Sequence, residues 1–230
     1  DPMPWKDGRK RLVDLLEAID AIPGDFWVRV LYTYPSEIDA DFIAWMITSK
    51  HAARYVDMPV QHTDVDVLER MNRASTAEAV LLLPDELRSL VPGITLRTTV
   101  MTGFPGETPL RFRKMLADLK RIQFDHLGAF AYSPEKGTKG AQMSSRPSRA
   151  VAEERERLVM EQQKVIWNCR AKRMIGSVHK ALVVAPGVAR MESQAPDVDG
   201  VTLVKGVGAE EVGSFIDVKI KKIKGFDFIA

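Results

Sequence analysis

The sequence predicts an α/β protein in which a partial (βα) barrel is followed by a small all-β barrel. Three observations support this fold class. Short β-rich runs alternate with helical stretches up to about residue 145, a charged helical segment follows at 146–173, and from residue 174 the hydrophobic pattern repeats every second residue. We therefore expect three parts, formed by residues 1–145, 146–173 and 174–230.

The first part contains four strand patterns that alternate with helical ones, which is typical of βα units with a parallel sheet. Thr108 and Pro109 predict the start of one helix, because threonine caps a helix N-terminus and proline suits its first turn. The predicted strands are residues 26–32, 54–60, 94–101 and 126–132, and the predicted helices are residues 10–22, 40–50, 65–71, 77–90 and 108–122.

The segment 146–173 predicts one long helix that connects the two barrels. Its apolar residues share one face at helical spacing, and we expect that face to be buried. Those residues are Val151, Leu158, Val165, Ile166 and Cys169. A buried, inert thiol is therefore the expected state of Cys169.

The last part predicts four or five short strands between glycine turns, a pattern typical of a small closed barrel. The predicted strands are residues 178–184, 189–193, 201–204, 214–221 and 226–229. Lys219, Lys221, Lys222 and Lys224 could form a nucleic-acid strip. However, residues 174–230 contain as many acidic as basic side chains, so we expect a solvated strand face or a protected sheet edge.

Composition excludes several classes of protein. The 230 residues include a single cysteine, so an internal disulfide framework is excluded and a reducing, cytoplasmic location is expected. No apolar run is long enough to cross a bilayer, and we expect no membrane partner. A net charge of +2 does not by itself indicate nucleic acid. Because Asp1 is not an initiator methionine, we expect the chain to be part of a longer protein.

Residues 99–108 (TVMTGFPGET) lie where the third predicted strand ends and a helix begins. Gly103 and Gly106 would let the backbone approach a ligand, and ligands bind at the carboxyl ends of parallel strands. A turn that only needs glycine and proline explains the string equally well.

The other predicted strands end in similar strings. Residues 55–62 (YVDMPVQH) end in Gln61 and His62, while residues 31–35 (LYTYP) and 130–134 (FAYSP) end in aromatic residues and proline. Gln61 and His62 could bind a ligand or form a local hydrogen-bonding pair. No second ligand stands at metal spacing, so we predict no metal role for His62. Four such ends at one edge predict the rim of a pocket.

These strings, in this order, resemble the radical-SAM methylthiotransferase family. The landmarks are residues 31–35, 55–62, 71–73 (MNR), 97–107 (RTTVMTGFPGE), 124–125 (FD) and 132–138 (YSPEKGT). The last part is similar to the TRAM domain that closes this family. Residues 193–200 (SQAPDVDG) resemble the branch that modifies a ribosomal protein, as opposed to the branch that modifies tRNA.

The resemblance implies a partial radical-SAM barrel, of which only the later strands are present, followed by a TRAM barrel. It implies an enzyme that uses S-adenosylmethionine and two 4Fe-4S clusters to methylthiolate an aspartate side chain of a small-subunit ribosomal protein, the twelfth. The ribosome would be its partner, with weak RNA contact at most. The cofactor-binding residues that it implies are Gln61, Arg97, Thr99, Gly103, Phe104, Gly106, Glu107 and Tyr132.

The chain departs from the family in its cysteines. A radical-SAM cluster needs three thiolates from a C-x-x-x-C-x-x-C loop, and this chain has only Cys169. We therefore assign no metal ligand and no catalytic residue to the chain, and we expect it to be inactive alone. Two alternatives remain at this point: the tRNA-modifying branch, and a ribosome-binding module without catalysis.

Overall fold

The structure is a computed structural model that describes residues 12–73 and 77–230. Its first part forms one sheet of four parallel strands in the order β1-β2-β3-β4. The strands are β1 (Val28–Val30), β2 (Ala52–Asp57), β3 (Thr95–Thr102) and β4 (His126–Ala131). The predicted parallel sheet is confirmed, although β1 is shorter than predicted and β2 begins and ends earlier.

Helices connect and cover these strands. The predicted start of the helix after β3 is confirmed, because the Thr108 side chain accepts a hydrogen bond from the Arg111 N–H and Pro109 occupies the first turn. One single-turn helix, α6, has no counterpart in the prediction, and residues 10 and 11 of the first predicted helix lie outside the described residues. The helices are α1 (Leu12–Asp20), α2 (Ala40–Thr48), α3 (Val65–Arg70), α4 (Ala77–Leu90), α5 (Pro109–Ile122), α6 (Lys139–Gln142) and α7 (Arg149–Lys172).

The two faces of this sheet differ in polarity. Buried apolar side chains of α2, α4 and α5, such as Met46, Leu87 and Met115, pack against Val56 and Leu96 on one face. Successive side chains of a strand point to opposite faces, so the alternate residues lie on the other side. We call that second side the inner face. Its residues include Tyr55, Asp57, Arg97, Thr99 and His126.

Helix α7 contacts both the four-stranded sheet of the first part and residues 174–230, which we call the second part from here on. It packs against β3 and β4, and Trp167 and Ala171 near its end belong to the core of the second part. Its N-terminal half approaches Gly103, in the loop after β3, so closely that a Cβ atom there would lie 2.3 Å from the Cβ of Ala152. The predicted connecting helix therefore packs against both parts and contributes side chains to the core of each.

The predicted buried face of α7 is wrong for three of its residues. Val165 is 70% exposed, and Val151 and the Cys169 thiol are also exposed. The buried face instead includes two polar residues, Arg155 and Gln163, which donate hydrogen bonds of 3.0 Å to the backbone carbonyls of Glu107 and Phe124. A hydropathy pattern treats such residues as exposed. The predicted buried face of the helix is therefore rotated relative to the observed one.

The second part is a six-stranded sheet in the order β8-β5-β6-β7-β10-β9. The edge strands β8 and β9 are joined through only Ile220 and Lys221. In a flat sheet of six strands, with neighbours about 4.8 Å apart, two residues could not reach from one edge strand to the other. The sheet must therefore curl until its two edges meet. This supports the predicted barrel. The strands are β5 (Val178–Ala185), β6 (Val188–Met191), β7 (Thr202–Leu203), β8 (Phe215–Lys219), β9 (Lys222–Lys224) and β10 (Asp227–Ile229).

The predicted strand at 214–221 corresponds to β8 and the two residues that follow it, and β9 has no counterpart in the prediction. The apolar core of this barrel includes Ala181, Val183, Met191, Val218 and Phe228. Among the described residues, no helix is both long and apolar enough to cross a membrane.

We predict that Gly103→Ala lowers the free energy of unfolding by about 2–4 kcal/mol, because it combines a positive φ with a clash against α7. Gly103 has φ +76°. Urea-induced unfolding followed by circular dichroism measures the loss.

Gly137→Ala is the matched control, because Gly137 has φ +90° but no atom within 4 Å of an added Cβ. It should cost only about 1–2 kcal/mol, the penalty for the backbone alone. The excess cost of Gly103→Ala should shrink in an Ala152→Gly background, where only the backbone Cα at 3.1 Å remains close to the added Cβ. Equal losses for the two glycines would contradict the packing role.

Candidate functional site

The carboxyl ends of the strands meet at one edge of the sheet. Gln61 extends the β2 edge beside β3, because its N–H donates to the Thr99 carbonyl at 2.9 Å and its carbonyl accepts from the Met101 N–H at 2.8 Å. On the other side of β3, the Tyr132 N–H donates to the Thr102 carbonyl at 2.8 Å. These strand ends are therefore neighbours, and we call them the carboxyl rim.

Arg97 lies on the inner face and is held by two carboxylates. Its Nη1 donates to Oδ1 of Asp57 at 2.9 Å, and its Nε lies 3.7 Å from Oδ1 of Asp199. Burial alone would lower the pKa of Arg97, but the hydrogen bond to Asp57 and its charge raise it above the ordinary value. Arg97 is therefore a fixed, permanently charged group.

Asp57 also ties β1 to the site. Its Oδ2 accepts a hydrogen bond from the Tyr32 N–H at 3.1 Å, and its backbone carbonyl accepts from the Thr33 N–H at 2.8 Å. One buried carboxylate thus fixes both the guanidinium of Arg97 and the end of β1.

Asp199 reaches the inner face from the second part of the chain, and its side chain is 1% exposed. Its Oδ2 accepts hydrogen bonds from the Tyr55 hydroxyl at 2.6 Å and the Ala195 N–H at 2.8 Å. Its Oδ1 lies 3.3 Å from Nδ1 of His126. Burial raises the pKa of Tyr55, and the charge of Asp199 raises it further, so Tyr55 stays a hydrogen-bond donor.

The loop that carries Asp199 has a buried base and an exposed tip. Gln194 and Ala195 are buried, while residues 196–198 are exposed. Nε2 of His126 donates to the Ser193 carbonyl at 2.9 Å, which adds a further contact between the loop and the sheet. We call residues 193–200 the plug loop, because its base packs on the amino-terminal half of the inner face.

Glu107 occupies a second buried polar cluster, behind the carboxyl rim. Its side chain is fully buried, and its Oε2 accepts from the Gly103 N–H and from Nη1 of Arg155, the latter at 2.7 Å. Its Oε1 lies 3.5 Å from Nε2 of His62, whose Nδ1 accepts the Asp64 N–H at 2.9 Å. Glu107 therefore anchors the loop after β3 to helix α7.

The glycines of this loop serve packing within the protein. Gly103 faces Ala152, and a Cβ at Gly106 would lie 2.6 Å from side-chain atoms of Arg70. The buried Phe104 ring packs edge-on against Tyr132, with 4.9 Å between ring centroids. Gly103, Phe104, Gly106 and Glu107 therefore shape the loop. The other predicted site residues, Gln61, Arg97, Thr99 and Tyr132, are half-buried.

Two polar atoms at the rim fit a polar ligand such as S-adenosylmethionine. Oε1 of Gln61 and the hydroxyl of Tyr132 are buried, and neither has a hydrogen-bond partner among the described residues. A buried polar atom without a partner costs free energy, so a ligand that supplies the missing hydrogen bond would be stabilised there.

An iron–sulfur cluster does not fit the residues of this chain. Its one cysteine, Cys169, lies on the exposed side of α7, and no group of three or more potential metal ligands occurs within residues 12–73 and 77–230. Three thiolates are needed for a radical-SAM cluster.

Asp57, His126, Arg155 and Asp199 are residues of this region that the sequence did not single out. Their partners are distant in the chain, so no local pattern predicted their contacts, although Asp57 lies in the string 55–62. The one signal for Asp199 was its place in the string 193–200, which suggested a branch of the family without suggesting a contact with the sheet.

Comparison with known proteins identifies the second part of the chain and its relatives. The TRAM domain family matches residues 175–230. Proteins named ribosomal protein uS12 methylthiotransferase RimO are similar over nearly the whole chain. The one from Syntrophus aciditrophicus (strain SB) is 34% identical, covering 97% of this chain and 51% of the relative. The one from Natranaerobius thermophilus is 37% identical, covering 96% and 51%.

A weaker likeness links the chain to a solved structure, coproporphyrinogen III oxidase (HemN) from Escherichia coli, described as a radical SAM enzyme. The TM-score is 0.48 at 19% identity, over 63% of this chain and 32% of that one. At this level the likeness supports no conclusion.

The chain is thus an α/β protein, in which a parallel sheet with a polar inner face is joined to a TRAM domain. The chain is similar over nearly its whole length to methylthiotransferases, and its last part matches the TRAM domain family. It spans about half the length of the curated relatives it matches, which agrees with the expectation that it is part of a longer protein.

We predict that Asp199→Ala lowers the free energy of unfolding by about 3 kcal/mol, because it leaves the Tyr55 hydroxyl and the Ala195 N–H without a partner in a buried site. Asp197→Asn, at the exposed tip of the same loop, should change it by less than about 0.5 kcal/mol. Urea titrations of the two variants give both values.

A double-mutant cycle with Tyr55→Phe tests the contact itself. Asp199→Ala and Tyr55→Phe should be non-additive by about 1–2 kcal/mol, since each removes the same hydrogen bond. Additive losses would mean that the two side chains do not interact in solution.

Proposed function

We propose that the chain is part of a radical-SAM enzyme that methylthiolates an aspartate side chain of ribosomal protein uS12. The observation that carries this proposal is the similarity of 34–37% over nearly the whole chain to proteins named for that activity. The acidic and basic residues of the TRAM domain are balanced in number, which favours the ribosomal-protein branch over a tRNA-modifying one.

The inner face and the carboxyl rim would bind S-adenosylmethionine. Gln61 and Tyr132 offer polar atoms that need a partner, and Thr99 places a hydroxyl between them and Arg97 on β3. Arg97 is held by Asp57, so it would meet a carboxylate of the ligand without reorganisation. When bound, S-adenosylmethionine would supply the hydrogen abstraction that this reaction requires.

Glu107 and Arg155 would act by positioning. They fix the loop after β3 against α7, and this loop carries Phe104 and, through it, the orientation of Tyr132. The cluster ligands would come from residues outside this chain, and we assign no step to a cluster here. We place the protein in the cytoplasm, with the small ribosomal subunit as its partner.

A chromosomal Arg97→Met variant tests the proposal. It should abolish methylthiolation of uS12 in the source organism, because the variant loses the charge that the proposed ligand carboxylate requires. Mass spectrometry of uS12 from purified ribosomes measures the fraction of the protein that carries the methylthio group.

Arg113→Met is the control, because Arg113 is exposed on α5 away from the inner face, and it should leave uS12 fully modified. Immunoblots must show equal amounts of both variant proteins. If uS12 keeps its methylthio group in a strain that lacks the gene, while tRNA loses such a group, the chain belongs to the tRNA-modifying branch instead.

A further inference from the structure

A cavity of about 380 Å³ lies at the opposite edge of the sheet from the carboxyl rim. Its walls are the starts of β2, β3 and β4, the last turns of α7, and β5 and β6 of the TRAM domain. Arg54, Thr95 and His126 line it from the sheet, and Trp167 and Met191 line it from the helix and the TRAM domain. Ligand pockets typically have about 300–1,000 Å³, so the cavity is large enough for a small molecule.

The inner wall of the cavity is apolar and partly aromatic. Trp167, Met191 and Phe228 are each less than 5% exposed, and the Trp167 and Phe228 rings lie 5.8 Å apart between centroids. Such a wall favours the apolar, flat part of a ligand over a charged one, because it offers edges of aromatic rings and a methionine side chain in place of polar atoms.

The rim of the cavity carries an excess of cations, with Arg54, Arg170, Arg173 and Lys180 against Asp125 and Glu192. Asp125 pairs with Nε of Arg170 at 2.5 Å, and Oε1 of Glu192 accepts the Arg54 backbone N–H, also at 2.5 Å. Lys180, a further cation of the rim, pairs with Asp25 at 2.8 Å.

Two guanidinium groups at the rim have no side-chain partner among the described residues. Neither Arg54 nor Arg173 has a side-chain hydrogen bond or ion pair to any residue within 12–73 and 77–230, and both are exposed at the rim. Arginine matches the geometry of phosphate oxygens and is weakly hydrated, so two free arginines beside one cavity favour a phosphate group.

We propose that this cavity binds a nucleotide, with its base against Trp167, Met191 and Phe228 and its phosphate between Arg54 and Arg173. The apolar wall and the cationic rim together require a ligand that is aromatic at one end and anionic at the other. The nucleotide is either free or one residue of an RNA strand. This site is separate from the carboxyl rim and does not depend on the function proposed there.

Isothermal titration of the intact chain tests the proposal with AMP, adenosine, inorganic phosphate and a single-stranded RNA hexamer. AMP should bind at least tenfold more tightly than adenosine or phosphate alone, because only AMP carries both parts. An RNA hexamer that binds more tightly than AMP identifies a strand as the source of the nucleotide. Equal affinities identify the free nucleotide.

The paired variant Arg54→Gln/Arg173→Gln should weaken AMP binding at least tenfold and leave adenosine binding unchanged. Arg113→Gln removes an exposed arginine elsewhere and should change neither affinity. Circular dichroism melting verifies the fold, and the single Arg173→Gln variant serves if the pair is unstable. The proposal is overturned if AMP does not bind, if phosphate alone binds as tightly as AMP, or if the arginine variants bind AMP like the wild-type chain.

Discussion

The buried carboxylate of Asp199 is the interaction on which the relation of the two parts depends. A carboxylate can be removed from water only where charges and hydrogen bonds replace its hydration. Here the Tyr55 hydroxyl and the Arg97 guanidinium supply them from the sheet, while the Ala195 N–H supplies a hydrogen bond from the plug loop itself. Because each of these groups must be in place for the charge to be tolerated, the TRAM domain has one favourable position on the inner face.

The same rule operates behind the carboxyl rim, where Glu107 meets Arg155 and His62. The two carboxylates lie near opposite ends of β3, and each is paired with an element distant in sequence. Asp199 connects the sheet to the TRAM domain, and Glu107 connects it to α7. Helix α7 in turn reaches the TRAM core through Trp167. The polar inner face is therefore held by contacts at both ends, and its own apolar cluster is small, with Ala53 and Tyr55 packed against Ala195 of the plug loop.

Local signals in the sequence predicted the elements well. Alternating apolar residues gave the strands of the sheet, and Thr108 with Pro109 gave the start of α5. Long-range polar contacts were not predictable from those signals. Arg155 and Gln163 look like surface residues of a helix until their partners, 48 and 39 positions away, are known. The same lack of information placed Cys169 on the wrong side of α7. It also hid the close packing of Gly103 against Ala152, while the predicted ligand-binding role of Gly103 stays a prediction.

Charge counting along the chain has a similar limit. Residues 174–230 are balanced in charge, and by themselves they give no reason to expect an anionic partner. The cavity at their boundary is nevertheless cationic at its rim, because Arg54 comes from β2 and Arg170 and Arg173 come from the end of α7. The TRAM domain supplies Met191 and Phe228 of the apolar wall, whereas the guanidinium groups come from β2 and from the end of α7. A binding surface assembled in this way exists only while the plug loop keeps the two parts together. The Asp199 contacts therefore support the cavity at one edge of the sheet as well as Arg97 on its inner face.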